Sequence, residues 1–199
     1  MSTAVRPEVC REIVQFGGED LSKCYNCGHC TAVCSLAGPE AAFPRKVIRY
    51  AQLGLQDKLV ASLEPWLCYY CGECSQTCPR QANPGEVMMT LRRWLTAQYD
   101  VTGLAKKLYL STRWEFAALA VVSALVIAIF ALFHGPVVTE RVELNTFAPA
   151  VWVELGDWLL AASLGSLLLF NASRMARFTL GTELLRRIPV SVYLGEFRT

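Results

Sequence analysis

Two copies of one cysteine pattern constrain this sequence more than any other feature. Each copy has the spacing C-x2-C-x2-C-x3-C, and the copies consist of Cys24, Cys27, Cys30 and Cys34, and of Cys68, Cys71, Cys74 and Cys78. In such a pattern three thiolates from one tight loop bind a 4Fe-4S cluster, and the fourth cysteine ligates the other cluster. The spacing therefore predicts two cross-linked clusters, one held by Cys24, Cys27, Cys30 and Cys78, and the other by Cys68, Cys71, Cys74 and Cys34.

Zinc sites and disulfides are the two alternatives for so many cysteines. Zinc takes four tetrahedral ligands from paired C-x2-C units, so the third and fourth cysteines of each copy would be surplus. Disulfides need an oxidising compartment, whereas residues 1–21 are polar and mixed in charge, without the apolar segment of a secretory signal. The duplicated pattern therefore favours iron–sulfur clusters over both alternatives.

The character of the chain changes near residue 112, where a region of dense, mixed charge gives way to two long apolar stretches. Phe116–Phe133 carries no charge and is long enough to cross the hydrocarbon core of a membrane. A second span lies within Val151–Ser173, although two acidic residues intrude near its start. We therefore expect a cluster domain at 1–112, two transmembrane helices at 113–173 and a C-terminal segment at 174–199.

Helical periodicity and end signals place helices around the cysteine motifs. Apolar residues recur with a helical period over Val5–Phe16, and Pro44–Gly54 begins with proline and ends with glycine. Asn83, followed by Pro84, predicts the N-cap of a helix that runs to about Tyr99. We expect this helix to bury Val87, Met88, Leu91, Trp94 and Leu95. The predicted fold is all-α: an α-helical ferredoxin domain with two 4Fe-4S clusters, followed by a transmembrane helical hairpin.

Positive residues predict the orientation of the hairpin. Lysines and arginines flank the two spans on one side, namely Arg92, Arg93, Lys106, Lys107 and Arg113 before the first span, and Arg174, Arg177, Arg186 and Arg187 after the second. We therefore expect a multi-pass protein of the cytoplasmic membrane, with the iron–sulfur domain and both termini on the cytoplasmic side and the loop 134–150 outside. The formal net charge of +2 argues against nucleic acid as a partner.

Three polar residues in the membrane half are candidates for proton or redox chemistry. Glu154 and Asp157 share a helix face, and an intramembrane acid predicts a quinone or proton site, unless both lie in water at the interface. His134 is the only histidine in this half. Because a b-type haem commonly takes two axial histidines, His134 would either give one ligand to a haem shared with another subunit or lie at a helix end as an interfacial residue.

Basic side chains between the two motifs have two interpretations. Arg45, Lys46 and Arg49 would form a solvated face, or they would dock an acidic redox partner near a cluster. His29, inside the first motif, is interpreted as an exposed loop side chain, because four cysteines already satisfy the irons.

The sequence resembles the C subunit of heterodisulfide reductase, and more closely the C subunit of the quinone-interacting membrane-bound oxidoreductase complex. The residues that carry the resemblance are Cys24–Cys34, Phe43–Lys46, Trp66–Cys68 and Cys78–Arg80. It implies an electron conduit between the quinone pool, or a cytochrome b partner, and soluble flavin and iron–sulfur subunits related to the A subunit of that reductase. In that family the membrane half has more helices and bis-histidine haems. In this sequence the haem module is missing, is supplied by another subunit, or is lost by truncation.

One feature of the resembling family is absent from this sequence. The disulfide-reducing subunit of that family carries adjacent cysteines, and this sequence has no Cys-Cys pair. We therefore expect an oxidoreductase subunit that carries electrons and has no substrate site of its own. The alternative is a ferredoxin-like subunit of a dehydrogenase, in which the hairpin is a passive anchor.

Overall fold

A computed structural model of the chain describes residues 4–39, 41–134, 149–187, 189, 191–192 and 195. Every regular element in this part of the chain is a helix, as the sequence predicts. The chain divides into two units, Met1–Leu110 with Ser173–Thr199, and Ser111–Ala172. Most of the predicted outer loop and several residues at the end of the predicted C-terminal segment lie outside the described residues.

Short helices surround one long helix in the first unit. In chain order they are α1 (Pro7–Gln15), a 3-10 helix (Glu19–Lys23), α2 (His29–Val33), α3 (Arg45–Gln52), α4 (Gln56–Val60), α5 (Glu64–Leu67), α6 (Glu73–Gln76), α7 (Pro84–Tyr99) and α8 (Leu104–Leu110). The helices predicted around Val5–Phe16 and Pro44–Gly54 are confirmed as α1 and α3.

Helix α7 supplies the centre of the core. Its predicted inward residues, Val87, Met88, Leu91, Trp94 and Leu95, are all buried. They pack against apolar side chains of α1 and α3, among them Ile13 and Val47. Burying one such side chain contributes about 1.5–3 kcal/mol. The cysteine loops are therefore carried on a well-packed helical scaffold.

The start of α7 differs from the prediction. Asn83 occupies the N-cap position, and Pro84 begins the helix, but the Asn83 side chain makes no cap hydrogen bond. An N-cap side chain needs an extended backbone, whereas Asn83 is left-handed with φ of 40°. Its Nδ2 instead donates to Oδ2 of Asp20 at 2.7 Å. The residue therefore ties the 3-10 helix to α7. The predicted N-cap position is confirmed, but the side chain does not cap the helix.

The second unit contains two apolar helices, α9 (Thr112–Phe133) and the part of α10 (Ala150–Arg187) that precedes Ser173. At 1.5 Å per residue, α9 is about 33 Å long, enough for a hydrocarbon core of about 30 Å. Both helices are long and apolar enough to cross a membrane. Their apolar side chains are exposed in the chain itself, since Leu132 is 77% and Val151 74% accessible.

The C-terminal part of α10 belongs to the first unit. There the ring of Phe178 stacks on Tyr99, with centroids 5.8 Å apart, and Met175 packs against the core. Gly181, with φ of 74° and ψ of 155°, interrupts the helix. The residues after Ser173 therefore contribute to the folded cluster domain.

Candidate metal centres

Both cysteine motifs have the same backbone path. Each consists of a loop that leads into a one-turn helix, α2 or α6, and these two helices pack against each other. Gly28 and Gly72 precede the helices with φ of 93° and 87°, a conformation that glycine adopts without strain. Two residues earlier, Asn26 and Tyr70 have φ of 60° and 57°. The matching left-handed turns show that the two motifs share one local backbone conformation.

Two pockets lie at these loops, and each is lined by four cysteines. The first pocket is lined by Cys24, Cys27, Cys30 and Cys78, and the second by Cys34, Cys68, Cys71 and Cys74. The open space is about 340 Å³ in the first pocket and about 400 Å³ in the second. The structure thus brings together the four cysteines that the spacing assigns to each cluster, including the distant fourth cysteine.

The donors around the pockets suit a polynuclear cluster better than a single ion. The amide N–H groups of Asn26 and Ala82 donate to the sulfurs of Cys24 and Cys78, each at 3.4 Å. Nδ2 of Asn26 is buried, lines the first pocket and has no hydrogen-bond partner in the described chain. A buried donor of this kind is explained by an acceptor in the pocket, such as a cluster sulfur.

The thiol groups are not preset as thiolates. Burial raises the pKa of Cys30 to about 11, and the neighbouring Cys24 and Cys74 thiolates add to the increase. Burial also raises the pKa of Cys74. Metal binding must therefore displace protons from these sites.

Arg92 on α7 forms hydrogen bonds with the backbone that leads into the second motif. Its guanidinium group donates to the carbonyl oxygen of Pro65 at 2.6 Å, to that of Trp66 at 3.0 Å, and to that of Cys68. These bonds fix the backbone from which the first cysteine of the second motif extends. Sequence reasoning counted Arg92 only among the charges that flank the membrane. The available signal was its position beside Leu91, on a helix with many buried residues.

The basic residues of α3 diverge. Arg45 lines the first pocket and donates from Nε to Oδ1 of Asn26 at 2.8 Å. Lys46 instead pairs with Glu64 on α5, with Nζ and Oε1 2.7 Å apart. Since consecutive helical residues point in different directions, these side chains do not form one basic face.

The two acidic residues predicted for the membrane half do not line the same cleft. Asp157 lines a cleft between α9 and the start of α10, beside Phe133 and Trp152, whose rings are 6.1 Å apart. Glu154 is not among the residues that line this cleft. The ring of His134, at the end of α9, stacks on Phe130 with centroids 5.1 Å apart. Quinone, proton and haem roles for these residues stay predictions.

Comparison with known proteins identifies the cluster domain and a group of similar proteins. Residues 23–83 match the family described as "4Fe-4S dicluster domain". The chain is 37% identical over 105 residues to a protein of Archaeoglobus profundus that is named as similar to the C subunit of heterodisulfide reductase, covering 52% of this chain and 55% of the relative. It is 36% identical over 104 residues to the second iron–sulfur C subunit of the CoB–CoM heterodisulfide reductase of Methanocaldococcus jannaschii, covering 48% and 55%.

A third relative is likewise similar over about half of its length. The C subunit of the H(2):CoB-CoM heterodisulfide,ferredoxin reductase of Methanothermobacter thermautotrophicus is 32% identical over 85 residues, covering 43% of this chain and 46% of the relative. The cysteine-rich half of the chain is therefore similar to heterodisulfide reductase C subunits and their relatives. This chain spans about half the length of the curated relatives that it matches. Together with the dicluster match, these similarities support an iron–sulfur domain that carries electrons.

Proposed function

We propose that this chain is the membrane-bound electron-transfer component of a heterodisulfide reductase-like complex. It would pass electrons between the quinone pool, or a cytochrome b partner, and soluble flavin and iron–sulfur subunits resembling the A subunit of that reductase. The observation that carries the proposal is the pair of four-cysteine pockets in a chain that also has two helices of membrane-spanning length. We propose the cytoplasmic membrane as its location, with the cluster domain on the cytoplasmic side.

The cysteines of the two pockets would hold one 4Fe-4S cluster each, which supplies a site for one electron at a time. Cys24, Cys27, Cys30 and Cys78 would hold the first, and Cys34, Cys68, Cys71 and Cys74 the second. The packing of α2 against α6 keeps the pockets adjacent, which suits transfer between them. Backbone N–H groups that face Cys24 and Cys78 stabilise negative charge on these sulfurs. No group in the described residues suggests a site for disulfide reduction.

The cleft beside Asp157 is our candidate for the quinone or proton site. Apolar side chains of both helices line it, including Leu125, Ile129 and Trp152. A single carboxyl group in such surroundings can accept a proton from a bound quinol or deliver one to a quinone. In the alternative function, the same hairpin only anchors the cluster domain and takes no part in electron exchange.

The deciding experiment uses the intact complex, isolated anaerobically from membranes. Iron and sulfide are quantified, the clusters are reduced with dithionite, and a menaquinone analogue is added while EPR spectra are recorded. Rapid reoxidation that a quinone-site inhibitor abolishes is expected. Zinc in place of iron would contradict the cluster assignment. Two reducible clusters without quinone exchange would favour the anchor.

The role of the cleft is tested by a matched pair of variants. Asp157→Asn is expected to slow quinone-dependent reoxidation at least about tenfold, because it removes the proton-exchanging group, whereas Glu154→Gln, outside the cleft, leaves it unchanged. Equal behaviour of the two variants would contradict a specific site at Asp157.

A further inference from the structure

The two pockets match in backbone but differ in charge. At equivalent positions of the two motifs, Asn26 corresponds to Tyr70 and His29 to Glu73. Two residues after the distant cysteines, Arg80 follows Cys78 where a leucine follows Cys34. Side chains at equivalent positions of the two motifs therefore differ in electrostatic character.

Cationic and hydrogen-bond-donating groups surround the first pocket. Arg45 lies across the loop so closely that a Cβ on Gly28 would be 3.2 Å from its Nη1. Its Nε is held by Oδ1 of Asn26 at 2.8 Å, which leaves the buried Nδ2 of the same amide without a partner in the described chain. Arg80 lines the same pocket, with its guanidinium carbon 4.1 Å from the centroid of the Tyr25 ring.

The second pocket has an anionic and apolar lining. Apart from its cysteines, it is lined by Leu36, Phe43, Met88, two tyrosines and Glu73, and by no lysine or arginine among the described residues. The hydroxyl of Tyr70 is directed away to Oε2 of Glu86, at 3.3 Å. This pocket therefore has a carboxylate where the first pocket has cations.

The reduction potential of an iron–sulfur centre depends on nearby charge, on hydrogen bonds to its sulfurs and on solvent exposure. Adding an electron increases the negative charge of the site. Cations and free N–H donors stabilise this extra charge, whereas a carboxylate and an apolar wall disfavour it. The side chains that line the pockets all act in the same direction. Arg92, which donates to the carbonyl oxygen of Cys68, acts in the opposite direction at the second motif, but it does not line that pocket.

We propose that Asn26, Arg45 and Arg80 give the first pocket the higher reduction potential, so that an electron entering the domain rests there, while Glu73 lowers the potential of the second pocket. The three residues act as positioning and tuning groups and ligate nothing. The inference rests on the proposed function, since it requires both pockets to hold 4Fe-4S clusters. It deepens that function by assigning the two centres different places in a one-electron relay between a soluble reductant and the membrane.

The test is an EPR-monitored redox titration of the intact complex and its variants. Arg45→Gln combined with Arg80→Gln is expected to lower the higher of the two midpoint potentials by about 59 mV, equivalent to a tenfold change in electron distribution for one electron. Asn26→Gly keeps the left-handed turn but removes the donor, and should lower the same midpoint. Glu73→Gln should raise the lower midpoint. Arg49→Gln, an exposed charge change on α3 that lines neither pocket, is the control.

The result that overturns the inference is also specific. If the arginine variants shift the lower midpoint, or if Arg49→Gln shifts the higher midpoint equally, the first pocket is not the higher-potential site tuned by these residues. Unchanged midpoints in all variants, with iron and sulfide at the parent content, would overturn the inference and leave the proposed function standing. Absence of two reducible clusters in the parent complex would overturn both.

Discussion

The two cysteine pockets begin from the same backbone, with left-handed turns at Asn26 and Tyr70 and at Gly28 and Gly72. The turns direct the sulfurs of each loop toward one space, and the crossing of the chain brings the fourth cysteine from the other motif. Around this shared frame the side chains diverge, with Arg45 at one pocket and a carboxylate at the other. The comparison shows that the repeated cysteines share one backbone frame, whereas the other side chains that line the two pockets differ.

The largest difference between the pockets should come from Arg92, which supports only the second. Arg92→Ala leaves three carbonyl groups near Cys68 without their charged donor, so we expect a loss of about 3 kcal/mol in the free energy of unfolding. Urea denaturation measures this loss, and iron content should fall at the second pocket first. Arg93→Ala is the control, because its partner Glu86 is partly exposed and their ion pair contributes under about 1 kcal/mol. Equal losses in the two variants would contradict the supporting role.

Substitution of the paired glycines should affect both pockets but with different consequences. Gly28→Ala and Gly72→Ala each place a side chain in the left-handed region, and each should lower the free energy of unfolding by about 1–2 kcal/mol. Only the first variant also displaces Arg45, because the new Cβ of the second meets nothing closer than Nε2 of Gln76 at 3.7 Å. Denaturation should therefore give similar losses, whereas redox titration should show a changed midpoint only for Gly28→Ala. A changed midpoint in both variants would mean that backbone strain, and not Arg45, sets it.

Tyr25 near the first pocket and Tyr69 near the second provide a test with a smaller expected effect on stability. The ring of Tyr25 packs under Arg80, whereas the hydroxyl of Tyr69 is hydrogen-bonded to Oγ of Ser35 at 2.9 Å. Tyr25→Phe keeps the ring and should leave stability unchanged, while Tyr69→Phe removes the hydrogen bond and should cost about 0.5 kcal/mol. Thermal unfolding of the two variants side by side checks the difference. The reverse order of stability would show that these contacts are misassigned.

The loss of folding stability at acidic pH should be the smallest effect. Hydrogen bonds from Lys23 and Asn83 lower the pKa of Asp20 near the first pocket. Burial is the largest single influence on Glu64 and raises its pKa, but the hydrogen bond and charge of Lys46 and the backbone N–H donors of Leu63 and Glu64 together outweigh it and lower the pKa. A carboxyl group with a lowered pKa stabilises the fold above its unfolded pKa, and this contribution disappears as the pH falls below about 4.

Asp20→Asn and Glu64→Gln should therefore each reduce the loss of stability on acidification, by under about 1 kcal/mol, since such pairs contribute little at a surface. Urea denaturation at neutral and acidic pH measures the change. Variants that keep the full acid dependence of the parent chain would show that other carboxyl groups cause it.

The sequence predicted the helices and the grouping of the cysteines because both follow from local spacing. Helical periodicity placed the buried face of α7, including Trp94, and the duplicated spacing named the four cysteines that line each pocket. The tuning groups were not predictable in this way. Whether Arg45 faces a pocket and Lys46 an ion pair depends on the three-dimensional placement of α3, and neighbouring charges look alike in a sequence.

A contact between residues distant in the sequence also explains why the Asn83 side chain does not cap α7. Asn83 has the residue type and position of an N-cap, but Asp20, distant in sequence, offers its side chain a charged acceptor, and the backbone is left-handed. Arg92 was missed for a related reason, because its three carbonyl partners belong to a segment that only the fold brings to α7. Hydrogen bonds between residues distant in the sequence are therefore the features that the sequence alone did not predict.

The crossed assignment of the two pockets is the central claim, and one set of EPR spectra tests it most directly. Four single variants of the complex are reduced with dithionite: Cys24→Ser, Cys34→Ser, Cys68→Ser and Cys78→Ser. Crossed ligation predicts that Cys78→Ser alters the same cluster signal as Cys24→Ser, and that Cys34→Ser alters the same signal as Cys68→Ser. If Cys34→Ser instead altered the signal that Cys24→Ser alters, each motif would bind its own cluster, and crossed ligation would be contradicted.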